Sequence, residues 1–445
     1  MKKPELAPNS DFDYNEDGAA LQKLFNDKLA MERLSLIDQE YPYWDIFKYK
    51  VKSLDHDPKF LWKVAKLSRR TSMTKIKISN IQGFEFTYNT ISNILKNLHE
   101  FDLHLGGILE GSSIVPTGDK NRYLISSIME EAIASSQLEG AVTTREEAKE
   151  MLRTERKPRN HSEKMILNNY LTIRRIVTLK NKELSPELIK EIHSLITKAT
   201  LDDGQNEGRF RTNNNVNVVD PITNEIFYSP PDQTKIEELM KAFCDFANSK
   251  NDSGFIHPIV RAIIIHFLIG YIHPFVDGNG RTARAIFYWY LISQGYWLME
   301  YLSISRIILK SSVQYANAYL HTEYDSNDLT YFIYYNLKSM DLALKSLKEY
   351  IHKKIDERKS LFQLISYTNL NERQAEIIKD VLVDTQRTFT IKEIQQLFDV
   401  VYQTARTDLL GLVENGYLKE KTIGRKSYFF RSDFFEEKIK KISTL

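Results

Sequence analysis

The 445-residue chain is long enough for about three domains, and its composition, 42% hydrophobic and 27% charged, is that of a globular protein. Lys and Arg number 61 against 59 Asp and Glu, so the net charge of +2 excludes a chain-wide attraction to nucleic acid or anionic lipid. The single cysteine, Cys244, excludes an internal disulfide framework and a zinc site built on cysteine pairs.

The first segment shows no targeting signal. Met1 to Leu6 leads into acidic, polar sequence without an apolar core, so no signal peptide is expected. The longest apolar run, residues 263–272, is interrupted by His266 and is too short to span a bilayer. The cytoplasm is therefore the expected location.

The first 200 residues predict two regions. Aromatic residues from Tyr41 to Trp62 recur at roughly helical spacing, which predicts an N-terminal packing region over residues 1–79, or an arm that docks on the rest. A strand-like stretch, 75–79, ends it. Residues 80–200 read as mainly helical, with a helix start at Ser185-Pro186-Glu187. Within them, 106–113 resembles a phosphate-binding loop but lacks its lysine, so it is interpreted as an ordinary loop.

A break in the helical pattern follows, inside a third region that we place at residues 201–367. From Phe210 to Tyr228, apolar residues alternate with polar ones, and a turn is expected at Asp220-Pro221. This predicts a β-hairpin inserted in a helical domain; its first strand contains Val216, Asn217, Val218 and Val219. Cys244, in the next apolar stretch, is interpreted as a buried thiol on a helix and not as a nucleophile.

The last region, residues 368–445, has the outline of a winged helix-turn-helix: three helices followed by a two-stranded hairpin. The third helix would present Gln403, Thr404, Arg406 and Thr407, and the wing contains Lys419, Lys421, Arg425, Lys426 and Arg431. Acidic residues nearly balance these charges: Asp408, Glu414, Glu420, Asp433, Glu436 and Glu437. DNA binding and protein docking or dimerisation are therefore equally supported.

One short segment, residues 273–284, combines several chemical groups. An apolar stripe places His273 at the end of a buried helix, which Pro274 breaks. Gly278-Asn279-Gly280 allows backbone N–H groups to converge on an anion, at the positive end of a new helix.

Side chains of the same segment complete a reactive set. Arg281 and Arg284 lie three residues apart, on nearly the same helical face. Asp277 offers a carboxylate suited to Mg²⁺, and His273 has the pKa range of a general base. This combination favours phosphoryl-type transfer. A helix cap with an ordinary Asn-Gly turn would explain single parts of it, but not the whole.

Residues 273–284 resemble the pattern of the Fic family at every fixed position, and the resemblance extends over roughly residues 80–347. It implies a mainly α fold: a Fic-type helical bundle with an inserted β-hairpin flap, here followed by the winged helix-turn-helix. It also implies transfer of AMP from ATP to a Tyr, Thr or Ser hydroxyl of a target protein, itself included, with His273 as the base.

The resemblance assigns the other loop residues too. Asp277 would hold Mg²⁺, Asn279 with the backbone of Gly278 and Gly280 would cradle the α and β phosphates, and Arg281 and Arg284 would hold the outer phosphates. The flap residues 216–219 would dock the target. Relatives have paired tyrosines near Tyr315, but the second position here is Ala316, so an adenine contact by Tyr315 is not assigned.

An upstream segment, Ser135 to Gly140, resembles the inhibitory motif of the family, formed by Ser135, Glu139 and Gly140. By this resemblance Glu139 pairs with Arg284 and occupies the space that the γ-phosphate needs. A charge-assisted pair competing with a phosphate for one guanidinium is physically reasonable.

Several alternatives stay open. One is removal of AMP by hydrolysis, with Glu139 positioning water, and another is a DNA-binding regulator acting through the winged helix. A homodimer is equally compatible with the sequence. His257 and His266 are interpreted as core or helix-end residues, not metal ligands, because no carboxylate or cysteine stands at ligand spacing.

Overall fold

The computed structural model describes residues 3–106, 120–219, 225–250, 254–366, 370–424 and 426–443. Most of the predicted loop at 106–113 therefore lies outside the described residues. The chain divides into two compact units. Unit 1 comprises Met1–Gly107, Glu131–Val142 and Lys164–Ala343, and unit 2 comprises Ile108–Glu130, Thr143–Glu163 and Leu344–Leu445. Among the helices in this description, none has the length and apolar character needed to cross a membrane.

Unit 1 begins with four helices around a buried aromatic cluster. The helices are α1 Tyr14–Asn26, α2 Lys28–Asp38, α3 Trp44–Lys50 and α4 Pro58–Thr71. Tyr43, Trp44, Phe47 and Trp62 are buried together, which confirms the predicted packing of these aromatic residues. The cluster also includes Tyr331, far along the chain, so this region packs on the rest of unit 1.

Two strands and five helices follow along the chain. They are β1 Thr74–Lys77, β2 Glu85–Tyr88, α5 Ser92–Leu105, α6 Lys120–Leu138, α7 Arg145–Thr154, α8 His161–Thr178 and α9 Pro186–Thr197. Strands β1 and β2 are antiparallel. The predicted start of α9 is confirmed: the Ser185 side chain accepts a hydrogen bond from the Leu188 N–H at 3.2 Å, and proline occupies the first turn.

The inserted hairpin is present but shorter than predicted. Its strands are β3 Val218–Val219 and β4 Ile226–Tyr228, which pair antiparallel, and the predicted turn at 220–221 lies outside the described residues. Val216 and Asn217 precede the paired strand. Continuing the register in which Val218 faces Tyr228 would place Val216 opposite Pro230, which has no N–H to donate to a neighbouring strand.

Six further helices complete the middle of the chain: α10 Ile236–Ala247, α11 Pro258–Ile272, α12 Asn279–Ser293, α13 Ile304–Lys310, α14 Ser312–Tyr324 and α15 Thr330–Ser366. Helices α11 and α12 pack against each other and are buried along most of their lengths. Cys244 in α10 is a free, buried thiol as predicted, and burial raises its pKa to about 12. The segment joining α11 to α12 is the one that the sequence predicts to be reactive.

The C-terminal part of unit 2 is the predicted winged helix-turn-helix. Its elements are α16 Glu372–Val383, β5 Thr388–Phe389, α17 Ile391–Phe398, α18 Tyr402–Glu414, β6 Leu418–Ile423, β7 Lys426–Arg431 and α19 Phe435–Ser443. The sheet order is β5-β7-β6. Sequence reasoning missed β5, because two residues are too short to show a period, and it missed α19. Phe389 and Phe429 pair across β5 and β7 within a closed apolar core.

Candidate active site

His273 caps the C-terminal end of α11. Its backbone N–H donates to the Ile269 carbonyl at 2.9 Å, and its φ of 50° is left-handed, which ends the helix before Pro274. The ring Nδ1 lies 3.2 Å from the Gly270 carbonyl, which can only accept, so Nδ1 is the protonated nitrogen. Burial lowers the pKa of His273, which leaves a neutral ring whose Nε2 lone pair can take a proton.

The loop between α11 and α12 is held by its own side chains. Asn279 accepts from the Phe275 N–H at 2.9 Å and donates to the Phe275 carbonyl at 2.8 Å, so its amide shapes the loop. Gly278 has a φ of 80°, and a Cβ there would lie 2.8 Å from the Thr197 methyl group. Only glycine meets both conditions without strain. The predicted helix start is confirmed at Asn279, and its N–H groups, which no side chain caps, form a candidate anion site.

The two arginines share a helix but reach different partners. Arg284 is buried, and its Nε donates to the Ser135 hydroxyl at 2.8 Å, while Nη2 donates to the Ser135 carbonyl at 2.9 Å. Arg281 instead lies 3.4 Å from the Ile196 carbonyl through Nη1, and its Nε has no hydrogen-bond partner in the described part of the chain. Arg281 therefore keeps an unused donor close to the loop.

Glu139 lies directly over the anion site. Its Oε1 accepts from Arg284 Nη2 at 2.9 Å, although the two residues are 145 positions apart in the sequence. A Cβ built on Gly280 would lie only 2.2 Å from that Oε1. Just beyond it, Gly140 has a φ of 89° and ends the turn after α6. The carboxylate thus takes the place where an anion would enter.

A cavity of about 240 Å³ joins these groups. Its walls include Glu139, His273, Asn279, Gly280 and Arg284. Of the predicted flap residues, Val218 also lines the cavity, together with Phe227 and Tyr228 of β4. Val216, Asn217 and Val219 are not among the lining residues.

Asp277 provides the one carboxylate of residues 273–284, and it is accessible. Its Oδ1 accepts the Gly278 N–H at 2.6 Å, its Oδ2 lies 3.5 Å from Arg281 Nη2, and the side chain is 57% exposed. Mg²⁺ is commonly held by one or two carboxylates together with substrate phosphates. This donor set therefore suits Mg²⁺ bound jointly with a nucleotide. In the described residues, no three His, Cys, Asp or Glu side chains form a metal cluster by themselves.

Two residues that sequence reasoning did not assign hold the loop from outside. His193 Nδ1 accepts the Gly208 N–H at 3.0 Å, so its Nε2–H donates to the Asp277 carbonyl at 2.9 Å. Its ring stacks on Phe275 with 3.7 Å between centroids. Burial lowers the pKa of His193 to about 4, which keeps the ring neutral as this pattern requires. The sequence offers no local signal for this role.

Arg211 is the second such residue. Its backbone N–H donates to the Pro274 carbonyl at 2.8 Å, and its Nε donates to the His273 carbonyl at 3.0 Å. Its Nη2 binds the Pro231 carbonyl, just beyond the hairpin. One buried guanidinium therefore connects the reactive loop to the base of the hairpin. In the sequence, only its place at the start of the predicted hairpin could have drawn attention to it.

His257 and His266 are a helix-end residue and a core residue, as predicted. His257 caps α11 by accepting the Ile259 N–H through Nδ1 at 3.3 Å. His266 is buried in α11, and its Nε2 lies 2.9 Å from the Tyr315 hydroxyl. Burial, with Arg284 nearby, lowers the pKa of His266 from 6.5 to about 3.

We expect His266 to make the protein less stable in mild acid. Below pH 6.5 this ring binds a proton in the unfolded chain but stays neutral in the folded protein. The free energy of unfolding therefore falls by about 1.4 kcal/mol per pH unit until the pH reaches the pKa of the folded state. Urea unfolding at pH 7.5 and 5.5 measures this, with His266→Gln losing correspondingly less than wild type. Equal losses in the two proteins would contradict the expectation.

Comparisons with known proteins bear on both units. Residues 183–291 match the model of the Fic/DOC family, and residues 373–427 match that of the DeoR-like helix-turn-helix domain. A protein adenylyltransferase Fic of Nematostella vectensis is 45% identical over 67 residues, 15% of this chain and 16% of that protein. Its counterpart in Drosophila willistoni is 37% identical over 87 residues, 18% of this chain and 17% of that protein. The chain thus spans about a sixth of the length of these curated relatives.

Two solved structures are also similar. The alignment with a Fic family protein from Desulfovibrio desulfuricans covers 78% of this chain and 98% of that protein's chain, with 17% identity and a TM-score of 0.48. The alignment with Fic-1 from C. elegans covers 74% of this chain and 84% of that protein's chain, with 18% identity and a TM-score of 0.46.

Proposed function

Because this chain is a Fic-domain protein with a C-terminal helix-turn-helix domain, we propose that it transfers AMP from ATP to a hydroxyl group of a target protein. The observation that supports this most is the arrangement in one cavity of a neutral His273, the N–H groups at the start of α12 and the Arg284 guanidinium. A base, an anion site and a cation together serve nucleotidyl transfer.

In the proposed reaction, the nucleotide phosphates bind at the N-terminus of α12. The backbone at Gly278 and Gly280 faces the α and β phosphates, and the loop geometry that permits this depends on the Asn279 amide. Asp277 would hold Mg²⁺ through its exposed carboxylate; when bound, the ion neutralises charge on the phosphates. Arg281 and Arg284 would take the outer phosphates.

His273 is proposed to start the chemical step. Its Nε2 removes the proton of the target hydroxyl, and the hydroxyl oxygen forms a bond to the α-phosphorus. The bond from the α-phosphorus to the bridging oxygen breaks, and pyrophosphate leaves with that electron pair. The 3.2 Å contact of Nδ1 with the Gly270 carbonyl keeps the ring in the tautomer that this step needs.

Glu139 is proposed to restrain the reaction. The carboxylate uses one of the Arg284 donors at 2.9 Å and covers Gly280, so it competes with the phosphates of ATP for both groups. Ser135 keeps two hydrogen bonds to Arg284, which fixes the guanidinium in position whether or not Glu139 is present.

The hairpin is proposed to dock the target. Val218 lines the cavity, and Val219 of the same strand, β3, is 43% exposed. An extended target segment could add to this strand through backbone hydrogen bonds and bring its hydroxyl to His273. Val216 and Asn217, on the same stretch, would lengthen the docking edge.

Position-specific labelling tests this function. The Glu139→Gly protein is incubated, alone and with a lysate of its own host, with ATP labelled either on the α-phosphate or on the γ-phosphate. AMP transfer predicts labelled protein from α-labelled ATP only, with mass spectrometry locating AMP on a Tyr, Thr or Ser residue. Label from γ-labelled ATP would indicate phosphate transfer, and no protein label from either would contradict the proposal.

Removal of AMP is the alternative that the position of Glu139 favours, since this carboxylate and His273 line the same cavity. Glu139 could hold water against an AMP–protein bond. Self-modified Glu139→Gly protein offers a substrate for the test. Release of AMP by wild type but not by Glu139→Gln would support hydrolysis, and release by neither would exclude it for this substrate.

The winged helix is proposed to bind DNA. Arg406, Lys421 and Lys426 are exposed, and no ion pair involves them within the described ranges. Two other cations of the wing form ion pairs within the protein: Lys419 contacts Asp433 at 2.8 Å, and Arg431 pairs with Glu436. Asp408, one of the acidic residues expected to balance these charges, is buried and bound to Arg373. Arg425 lies outside the described residues.

We expect Arg406→Ala and Lys421→Ala each to weaken DNA binding and to reduce the slope of log K against log salt by about 1, the effect of one lost phosphate contact. Lys419→Ala is the matched control, since Asp433 already engages that lysine, and it should change the slope less. Gel shifts with random-sequence duplex at several salt concentrations measure this. Binding indifferent to all three substitutions would favour the docking interpretation.

A further inference from the structure

One face of α6 carries three polar residues at intervals of four: Glu131, Ser135 and Glu139, the last just beyond the end of the helix. Residues at this spacing lie above one another on a helix. Ser135 and Glu139 both bind Arg284, and Glu139 lines the cavity. Glu131 is not among the lining residues, so its role must come from its contacts with the protein.

Helix α12 has a matching face, whose residues also recur at intervals of four. Three pairs connect the two helices: Glu131 with Tyr288, Ser135 with Arg284, and Glu139 with Gly280. The residue numbers rise along α6 and fall along α12, so the two helices run antiparallel here. Since four residues span about 6 Å of helix, the pairs are evenly spaced. We call this row of contacts the α6–α12 ladder.

Glu131 forms the first step of this ladder with a buried carboxyl. Its Oε2 accepts the Tyr288 hydroxyl at 2.9 Å and the Ser303 hydroxyl at 3.2 Å. The same oxygen accepts the Ser305 backbone N–H at 3.0 Å, and Oε1 accepts the Ser305 hydroxyl. Burial raises the pKa of Glu131, while the Ser305 hydrogen bonds and the charge of Arg284 oppose this rise. Moving such a carboxyl away from its donors is costly.

The steps of the ladder differ in what they can fix. The Arg284 guanidinium stands at the end of a long side chain with rotamer freedom, so it can follow a small displacement of α6. The Ser305 N–H instead belongs to the backbone at the start of α13, where Ser303 makes no side-chain capping hydrogen bond. Glu131 takes over that capping role and joins α6 to a backbone position. The place of α6 along α12 therefore depends on Glu131.

We infer that Glu131 is a positioning residue that holds α6 where Glu139 meets Arg284 and so sets the strength of the restraint. Displacing Glu139 Oε1 from its 2.9 Å contact with Arg284 frees that guanidinium and uncovers Gly280. Glu131 acts on the site only through Glu139, because it does not line the cavity itself. The inference rests on the proposed function in one respect, that Glu139 competes with a nucleotide for this place.

The test is a double-mutant cycle of four proteins, all with His273→Ala to prevent turnover: Glu131→Ala, Glu139→Gly, both together, and neither. Calorimetric titration with ATP measures their affinities. We expect Glu131→Ala to tighten ATP binding about 3- to 10-fold while Glu139 is present, the scale of coupling within one hydrogen-bond network. With Glu139→Gly, the same substitution should change the affinity less than about twofold, because no restraint is left to relax.

Three variants that keep Glu139 separate this role from a general loosening of the fold. Glu131→Gln should bind ATP as the protein without it does, because an amide oxygen still accepts the Ser305 N–H and the neighbouring hydroxyls can rotate. Ser305→Ala removes one hydroxyl donor, so it should tighten binding about twofold. Asn89→Ala removes a buried amide that makes two hydrogen bonds outside α6 and α12. It should lower the Tm in thermal unfolding without changing ATP affinity.

Tightening that requires Glu139 supports the inference. Equal tightening with and without Glu139, or none in either Glu131→Ala or Ser305→Ala, would overturn it. If Glu131→Ala does not fold, Ser305→Ala in the two backgrounds gives the same decision. Should Glu139→Gly fail to transfer AMP while the cycle behaves as expected, the proposed transfer is contradicted and the positioning role stands. Failure of all four proteins to bind ATP contradicts both.

Discussion

Replacing Glu139 with glycine is expected to raise the rate of AMP incorporation about 10- to 100-fold. The substitution removes a charge-assisted hydrogen bond of 2.9 Å to Arg284, and such bonds contribute about 1.5–3 kcal/mol, with 1.4 kcal/mol for each factor of ten. It also clears the space above Gly280. Self-modification with α-labelled ATP, followed over time, measures the rate.

Two controls separate this restraint from a general effect on the protein. Glu139→Gln keeps the shape of the side chain but removes its charge, so its rate should lie between those of wild type and Glu139→Gly. Glu146→Ala, at an exposed position on α7, should behave as wild type. A Glu139→Gly protein that is folded, as judged by its thermal unfolding, and no faster than wild type would refute the restraint.

Adding His273→Ala to the Glu139→Gly protein is expected to lower kcat/KM by about 10²- to 10⁴-fold, the usual effect of losing a general base. ATP affinity should change little, because the phosphate groups are proposed to bind elsewhere, at the N-terminus of α12. Initial rates at several ATP concentrations separate the two effects. A loss confined to KM for ATP would show that His273 binds the nucleotide and does not act as the base.

The pH profile offers an independent check on His273. Burial lowers the pKa of this ring, and the active form of a base is the deprotonated one. The activity of Glu139→Gly should therefore stay level as the pH falls from 8 to 6.5, the ordinary pKa of histidine, and decline only below it. A decline that begins above pH 6.5 would place the essential titration on another group.

Much of the site follows from adjacent residues. Pro274 and the left-handed positions at His273 and Gly278 require a helix end and a tight loop, and Asn279 closes that loop through contacts four residues away. The sequence predicted the helix end at Pro274 and the new helix near Gly280, since local chain geometry fixes them. It assigned Asn279 to the phosphates and did not predict that its amide closes the loop. The winged helix was equally readable, because its helices have clear caps and apolar periods.

Other parts of the site depend on residues that meet only in the folded chain. Arg211 lies 62 positions from His273, and His193 lies 84 positions from Asp277. Neither residue belongs to a recognisable pattern, and a buried histidine in a helix is usually a packing residue.

The sequence by itself predicted which chemical groups the reactive loop contains, because the histidine, the N–H groups and the arginines lie within twelve consecutive residues. It also suggested, through resemblance, that Glu139 restrains Arg284. Only the tertiary structure decided that Glu139 Oε1 lies over Gly280. It also decided that Arg281 and Arg284 bind different partners. Likewise, it alone showed that His193 and Arg211 hold the loop. The physical reason is that the packing of α6, α9 and the hairpin base around α11 and α12 sets these distances, and no local pattern encodes them.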